Sequence, residues 1–199
     1  MSAHSQSRHM QRREFNQHLQ RSAIAMALAP WLSAVAAPAD KPRVWHTNPF
    51  ALGVASGRPR ADSMVLWTRL LFSDEDRAAG ADALRVNVEV FADAALKRRV
   101  QKTEVVTNEA RAHSVHVHLQ NLQPSTDYWY RFTQGNAHST VGHTRTAPAL
   151  NADVRELRVA LSSCQHYEQG QYIAHAEIAK EKLDFVLFMG DYIYESSNP

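Results

Sequence analysis

Between Ser63 and Thr144 the apolar residues come in short runs, and within several runs they occupy every second position. Val86, Val88 and Val90 alternate with Asn87 and Glu89, the spacing of a strand with one buried face. Runs of strand character cover Ser63–Leu70, Leu84–Phe91, Val100–Thr107, Ser114–Leu119, Asp127–Thr133 and Ser139–Thr144. Turn-forming clusters separate them, notably Gly57-Arg58-Pro59-Arg60-Ala61-Asp62 and Gly135-Asn136. Six or seven short strands in about a hundred residues predict a two-sheet sandwich. Trp67 and Trp129 lie inside apolar runs and are expected as core anchors. His116 and His118 share one strand face and read as solvated surface or packing. Thr146–Asp153 reads as a linker.

Beyond the linker the pattern changes. Leu157–Leu161 is an apolar run bounded by Ser162-Ser163, and Asp184–Met189 is a second one that stops at Gly190. About fifteen residues of helical composition separate them, enough for a right-handed βαβ crossover. Such a crossover makes the two strands parallel, with their carboxyl ends on one edge of the sheet, where open α/β sheets bind ligands. Cys164 follows the first strand and Asp191 follows the second, while Tyr194 stands three residues further on. Each has an ordinary role when taken singly: a small buried thiol, a turn cap, a packing ring. Together they offer a thiolate, a carboxylate and a phenolate, the last a hard oxygen donor that suits ferric iron.

The segment Ser162-Ser163-Cys164-Gln165 through Gly190-Asp191-Tyr192-Ile193-Tyr194-Glu195 resembles the start of the metallophosphoesterase domain of the PhoD-like alkaline phosphatases. Ordinary metallophosphoesterases carry Asp-x-His after the first strand, and the Ser-Cys-Gln and Gly-Asp-Tyr-Ile-Tyr found here are departures shared by the PhoD-like branch. Upstream, Asn48–Leu70 resembles the opening of that family's N-terminal domain. Leu119–Phe132 (LQNLQPSTDYWYRF) resembles the fibronectin type III corner, with Leu122, Pro124 and Tyr128 or Tyr130 as the tyrosine corner. The resemblance implies that Cys164, Asp191 and Tyr194 bind one ferric iron, with Asp191 also reaching toward calcium. It implies metal-assisted hydrolysis of a phosphomonoester or phosphodiester substrate.

Composition adds two constraints. The formal charge of +2 comes from the first forty residues, where Arg8, Arg12, Arg13 and Arg21 face only Glu14 and Asp40. The remainder is electrically balanced, which gives no support for nucleic-acid binding. Arg12-Arg13 precedes an uncharged, alanine-rich stretch from Ser22 to Ala39, with small residues suited to cleavage after Ala36 or Ala39. That layout predicts a Tat-type signal peptide over residues 1–39, the Tat translocase as a partner during export, and a periplasmic or secreted product. Pro30, Pro38 and the many alanines make a poor bilayer span, so no stable membrane span is expected. A chain with the single cysteine Cys164 cannot form an internal disulfide.

The expected fold is therefore multidomain. An all-β fibronectin III/Ig-like sandwich over residues 44–148 is followed, over 154–199, by the first βαβ unit of an α/β metallophosphoesterase fold, truncated. The expected function is that of an exported alkaline phosphatase or phosphodiesterase with an incomplete ligand set, inactive as this 199-residue chain. Two other readings stand beside it: a non-catalytic exported sandwich with a vestigial phosphatase tail, and a thiol function at Cys164 without the partner of a Cys-x-x-Cys motif.

Overall fold

The computed structural model describes residues 43–194 apart from 79, 81, 82 and 193. The signal peptide expected over residues 1–39 lies outside the described residues.

Two antiparallel sheets hold most of the strand residues described. The first holds β1 (Val54–Gly57), β2 (Met64–Arg69) and β5 (Ser114–Leu119) in the order β1-β2-β5. The second holds β3 (Ala83–Phe91), β4 (Arg99–Asn108), β6 (Asp127–Gln134) and β7 (Ala137–His138) in the order β4-β3-β6-β7, with β8 (Gly142–Arg145) also paired to β6. Alternation decides the burial. Met64, Leu66, Val115, Val117 and Leu119 from the first sheet meet Leu84, Val86, Val88, Val90, Tyr128, Tyr130 and Phe132 from the second in one buried cluster. Each of these side chains contributes roughly 1.5–3 kcal/mol by leaving water.

The same alternation corrects the expectation for two tryptophans. Leu66 and Thr68 are fully buried, so Trp67 between them faces outward and is half-buried. Trp129 lies between the buried Tyr128 and Tyr130 and is likewise only half-buried. The core tryptophan is Trp45, whose indole N–H donates to Gln134 Oε1 at 2.6 Å beneath the Arg43 guanidinium. His116 and His118 are exposed on the outer face of β5, as their positions predict.

Three further differences have local causes. The run Ser139–Thr144 is not one strand, because the Phe132 N–H donates to the Ser139 hydroxyl at 3.0 Å and breaks the ladder between β7 and β8. β1 is an edge strand of small residues with little burial, and it left no apolar pattern to read. A short helix, α1 (Asp74–Ala78), buries Asp76 rather than an apolar side chain. The tyrosine corner falls to Tyr128, whose hydroxyl accepts from the Gln123 N–H at 2.9 Å.

After an irregular stretch that includes the fully exposed Leu150, β9 (Val159–Ser162) pairs in parallel with β10 (Phe185–Phe188). The chain between them forms two short helices, α2 (Tyr167–Gly170) and α3 (Ile173–Ile178), in place of one continuous helix. Gln171 and Tyr172 both adopt left-handed backbone (φ 47° and 59°), which ends α2 and turns the chain before α3 begins. Val159, Leu161, Val186 and Leu187 of this strand pair are all exposed.

Candidate metal centre

The parallel register pairs Val159 with Phe185 and Ser162 with Phe188, so both strands end at the same level. The chain then leaves each strand by an abrupt turn. Cys164 takes left-handed backbone at φ 56° and Asp191 does so at φ 50°, a conformation that few residues other than glycine adopt. Gly190, at φ 139°, supplies the turn that makes Asp191 possible, since a side chain at that position would be strained. The Cys164 N–H donates to the Gly190 carbonyl at 3.3 Å and stitches the two turns together.

The three side chains singled out from the sequence meet here. The Cys164 thiol donates to Asp191 Oδ2 at 3.3 Å, and the Tyr194 hydroxyl donates to the same oxygen at 3.1 Å. Thiol, carboxyl and phenol thus converge on one atom. Cys164 is exposed rather than packed as a small hydrophobe. The hydrogen bond with Cys164, partial burial and the neighbouring Asp191 push the Tyr194 phenol up to about 12. A bound cation would oppose that shift by favouring the phenolate. The donor set fits a ferric ion in chemistry: one soft thiolate with two hard oxygens. Among the described residues no group of three or more His, Cys, Asp and Glu side chains could hold a metal ion, so the set depends on tyrosine as its third member.

Sequence reading did not find the aromatic surroundings of this edge. The His166 and Tyr194 rings lie 5.1 Å apart, and Phe188 and Tyr192 meet edge to face at 4.8 Å across the turn that carries Asp191. The signal was present in the sequence as ring residues flanking both turns, but their contacts depend on how each turn bends.

A sandwich of two antiparallel sheets joined to a parallel strand pair places this chain among mostly-β proteins that carry an α/β element. Residues 35–148 match the PhoD-like phosphatase N-terminal domain, and residues 159–199 match the PhoD-like phosphatase family proper. The chain belongs to the PhoD-like phosphatase family. It is 46% identical over 153 residues to alkaline phosphatase D of Bacillus subtilis (strain 168), covering 76% of this chain and 26% of that protein. A solved structure of PhoD shares 45% identity with a TM-score of 0.71, covering 77% of this chain and 30% of that one. The chain therefore spans about a quarter of the length of the curated relative it matches.

Proposed function

We propose that this chain supplies part of a site for metal-assisted hydrolysis of phosphoesters, of the alkaline-phosphatase type. The observation that carries the reading is the convergence of Cys164, Asp191 and Tyr194 on a single oxygen, within the segment that matches the PhoD-like phosphatase family. These three residues would hold a ferric ion, with Asp191 also available to calcium. A cation bound there supplies Lewis acidity that stabilises negative charge developing on a phosphoryl oxygen. The chain's own contribution is to gather the donors: the parallel strands set their level, and the two left-handed turns aim them at one point.

The substrate class is a phosphomonoester or phosphodiester. Relatedness to a protein named alkaline phosphatase D supports the hydrolytic reading. The sandwich over 44–148 and the βαβ unit over 154–199 are the two parts of the proposed organisation, with the second opening a metallophosphoesterase fold. Export through the Tat route to the periplasm or medium rests on Arg12-Arg13 and the alanine-rich stretch after it. Among the described residues no helix is long and apolar enough to cross a membrane. Changing Arg12 and Arg13 to lysine should leave precursor in the cytoplasm, and unchanged export would remove the Tat assignment.

The metal reading is tested by titrating the chain with ferric nitrilotriacetate and recording visible absorption. A tyrosinate bound to ferric iron absorbs in the visible, so wild-type protein should become coloured while Tyr194→Phe stays colourless. Iron retained without colour, or colour that survives Tyr194→Phe, would overturn the ligand set.

A further inference from the structure

The turn after β9 carries a second side chain to the same edge. His166 stands two residues past Cys164, at the boundary of α2, with extended backbone (φ −95°, ψ 122°). Its side chain makes no capping hydrogen bond to that helix, so capping is not what places the imidazole. Its ring packs against Tyr194, with centroids 5.1 Å apart and planes at 49°. Among the described residues the other ring contacts nearby run Tyr167–Tyr172, Tyr172–His175, His175–Phe188 and Phe188–Tyr192, and none of these includes Tyr194.

A phenol held only by hydrogen bonds at its hydroxyl keeps rotational freedom about its two side-chain torsions, and a neighbouring ring packed against it removes much of that freedom. Tyr194 needs such restraint, because its side chain is 41% exposed and its hydroxyl must stay at Asp191 Oδ2. His166 and Cys164 leave β9 on one turn, while Asp191 and Tyr194 leave β10 on the other. The ring contact thus forms a further tie between the two turns that supply the donors. We infer that His166 is a positioning residue: its imidazole, tilted against the Tyr194 ring, holds that ring in the orientation that keeps the phenol oxygen beside Asp191 and Cys164. The inference rests on the metal reading given above. It assigns to His166 contact with a ligand and no contact with metal.

The test uses the full chain labelled with 3-fluorotyrosine, first without metal and then titrated with ferric nitrilotriacetate. Tyr194→Phe identifies the Tyr194 fluorine resonance. His166→Ala should move or broaden that resonance and weaken ferric binding roughly tenfold, the usual scale for residues that orient a ligand. His166→Phe, which restores a ring face without the imidazole nitrogens, should recover both. Unchanged fluorine signal and iron affinity in His166→Ala, with wild type binding iron, would overturn the inference, as would failure of His166→Phe to recover them. Should wild type take no iron while the fluorine signal still responds to His166→Ala, the ring contact is real. The metal reading is then wrong, and the positioning role falls with it.

Discussion

The Cys164 sulfur lies 3.3 Å from Asp191 Oδ2 although the two residues are 27 positions apart. Neither residue would reach the other from the body of a strand, where side chains stand off the faces of the sheet. Both lie past the last paired residues, Ser162 and Phe188, and both turn back through left-handed backbone. Non-glycine residues in that region cost of order 1–3 kcal/mol each. The same backbone occurs at Arg58, Leu96, Gln171 and Tyr172 among others, so at Cys164 and Asp191 it sets the aim of two side chains and does not by itself mark a ligand.

Asp191 is the hub of the arrangement, since both other donors address its carboxylate. Asp191→Ala should abolish iron-dependent absorption. The melt of the sandwich should be unchanged, because Asp191 lies outside its buried cluster. Visible titration and a thermal melt followed by circular dichroism check the two halves. A large loss of sandwich stability would show that the two regions are coupled more tightly than their contacts indicate.

Asp76 should make the sandwich sensitive to acid. Burial of Asp76 disfavours its charge, yet hydrogen bonds from the Ser73 hydroxyl, the His46 N–H and ring, and the Thr47 N–H outweigh it and hold the carboxyl at about 2. Its pKa in the unfolded chain is the ordinary 3.8, so the native state gains from ionisation. That gain is complete above about pH 4 and is lost as pH falls from there toward 2. Asp76→Asn should cost about 2 kcal/mol at pH 7, the scale of a charged hydrogen-bond set, and much less at pH 2. Urea unfolding at several pH values measures the difference, and a constant gap would contradict the assignment.

Tyr128→Phe removes the acceptor of the Gln123 N–H while keeping the buried ring. The expected loss is about 1 kcal/mol, or a fall in Tm of roughly 4–8 °C. A thermal melt followed by circular dichroism measures it, and an unchanged melting point would take the corner away from Tyr128.

Gly142 has no room for a side chain, since a Cβ there would overlap the Tyr130 ring. Tyr130 is nearly fully buried and cannot withdraw. Gly142→Ala should therefore destabilise the sandwich by roughly 1–3 kcal/mol through overpacking. Loss of stability with β-type circular dichroism retained is the expected result, and an unchanged melting point would show that the ring can move.

Patterns of period two are local, and they were enough to place β2 through β6 within a residue or two, because one face of β2, β3, β5 and β6 is buried in a shared core against which β4 packs Val105. The buried valines of β3 could be named from spacing alone, whereas the outward turn of Trp67 and Trp129 required knowing which phase of the alternation faces inward. Bulk suggested burial, and strand phase overrode it. β1 and α1 escaped notice because the forces that hold them are not apolar patterns: β1 is a pairing partner at a sheet edge, and α1 closes on the polar Asp76. The break between β7 and β8 was hidden for a similar reason, since it depends on the Ser139 hydroxyl entering the ladder.

Cys164 and Asp191 were legible as a pair because parallel strands must end on one side, a consequence of connectivity that sequence order already contains, and Tyr194 joined them through the family resemblance. Connectivity could bring Cys164 and Asp191 to the same edge, but it could not aim them at one point. Aim was decided by the left-handed turns at Cys164 and Asp191 and by the ring of His166 against Tyr194. Those are set by packing between residues distant in sequence. The sequence by itself determined β2 through β6, the parallel pair and the chemistry its edge can carry, while the tertiary structure alone decided that a thiol, a carboxyl and a phenol share one oxygen.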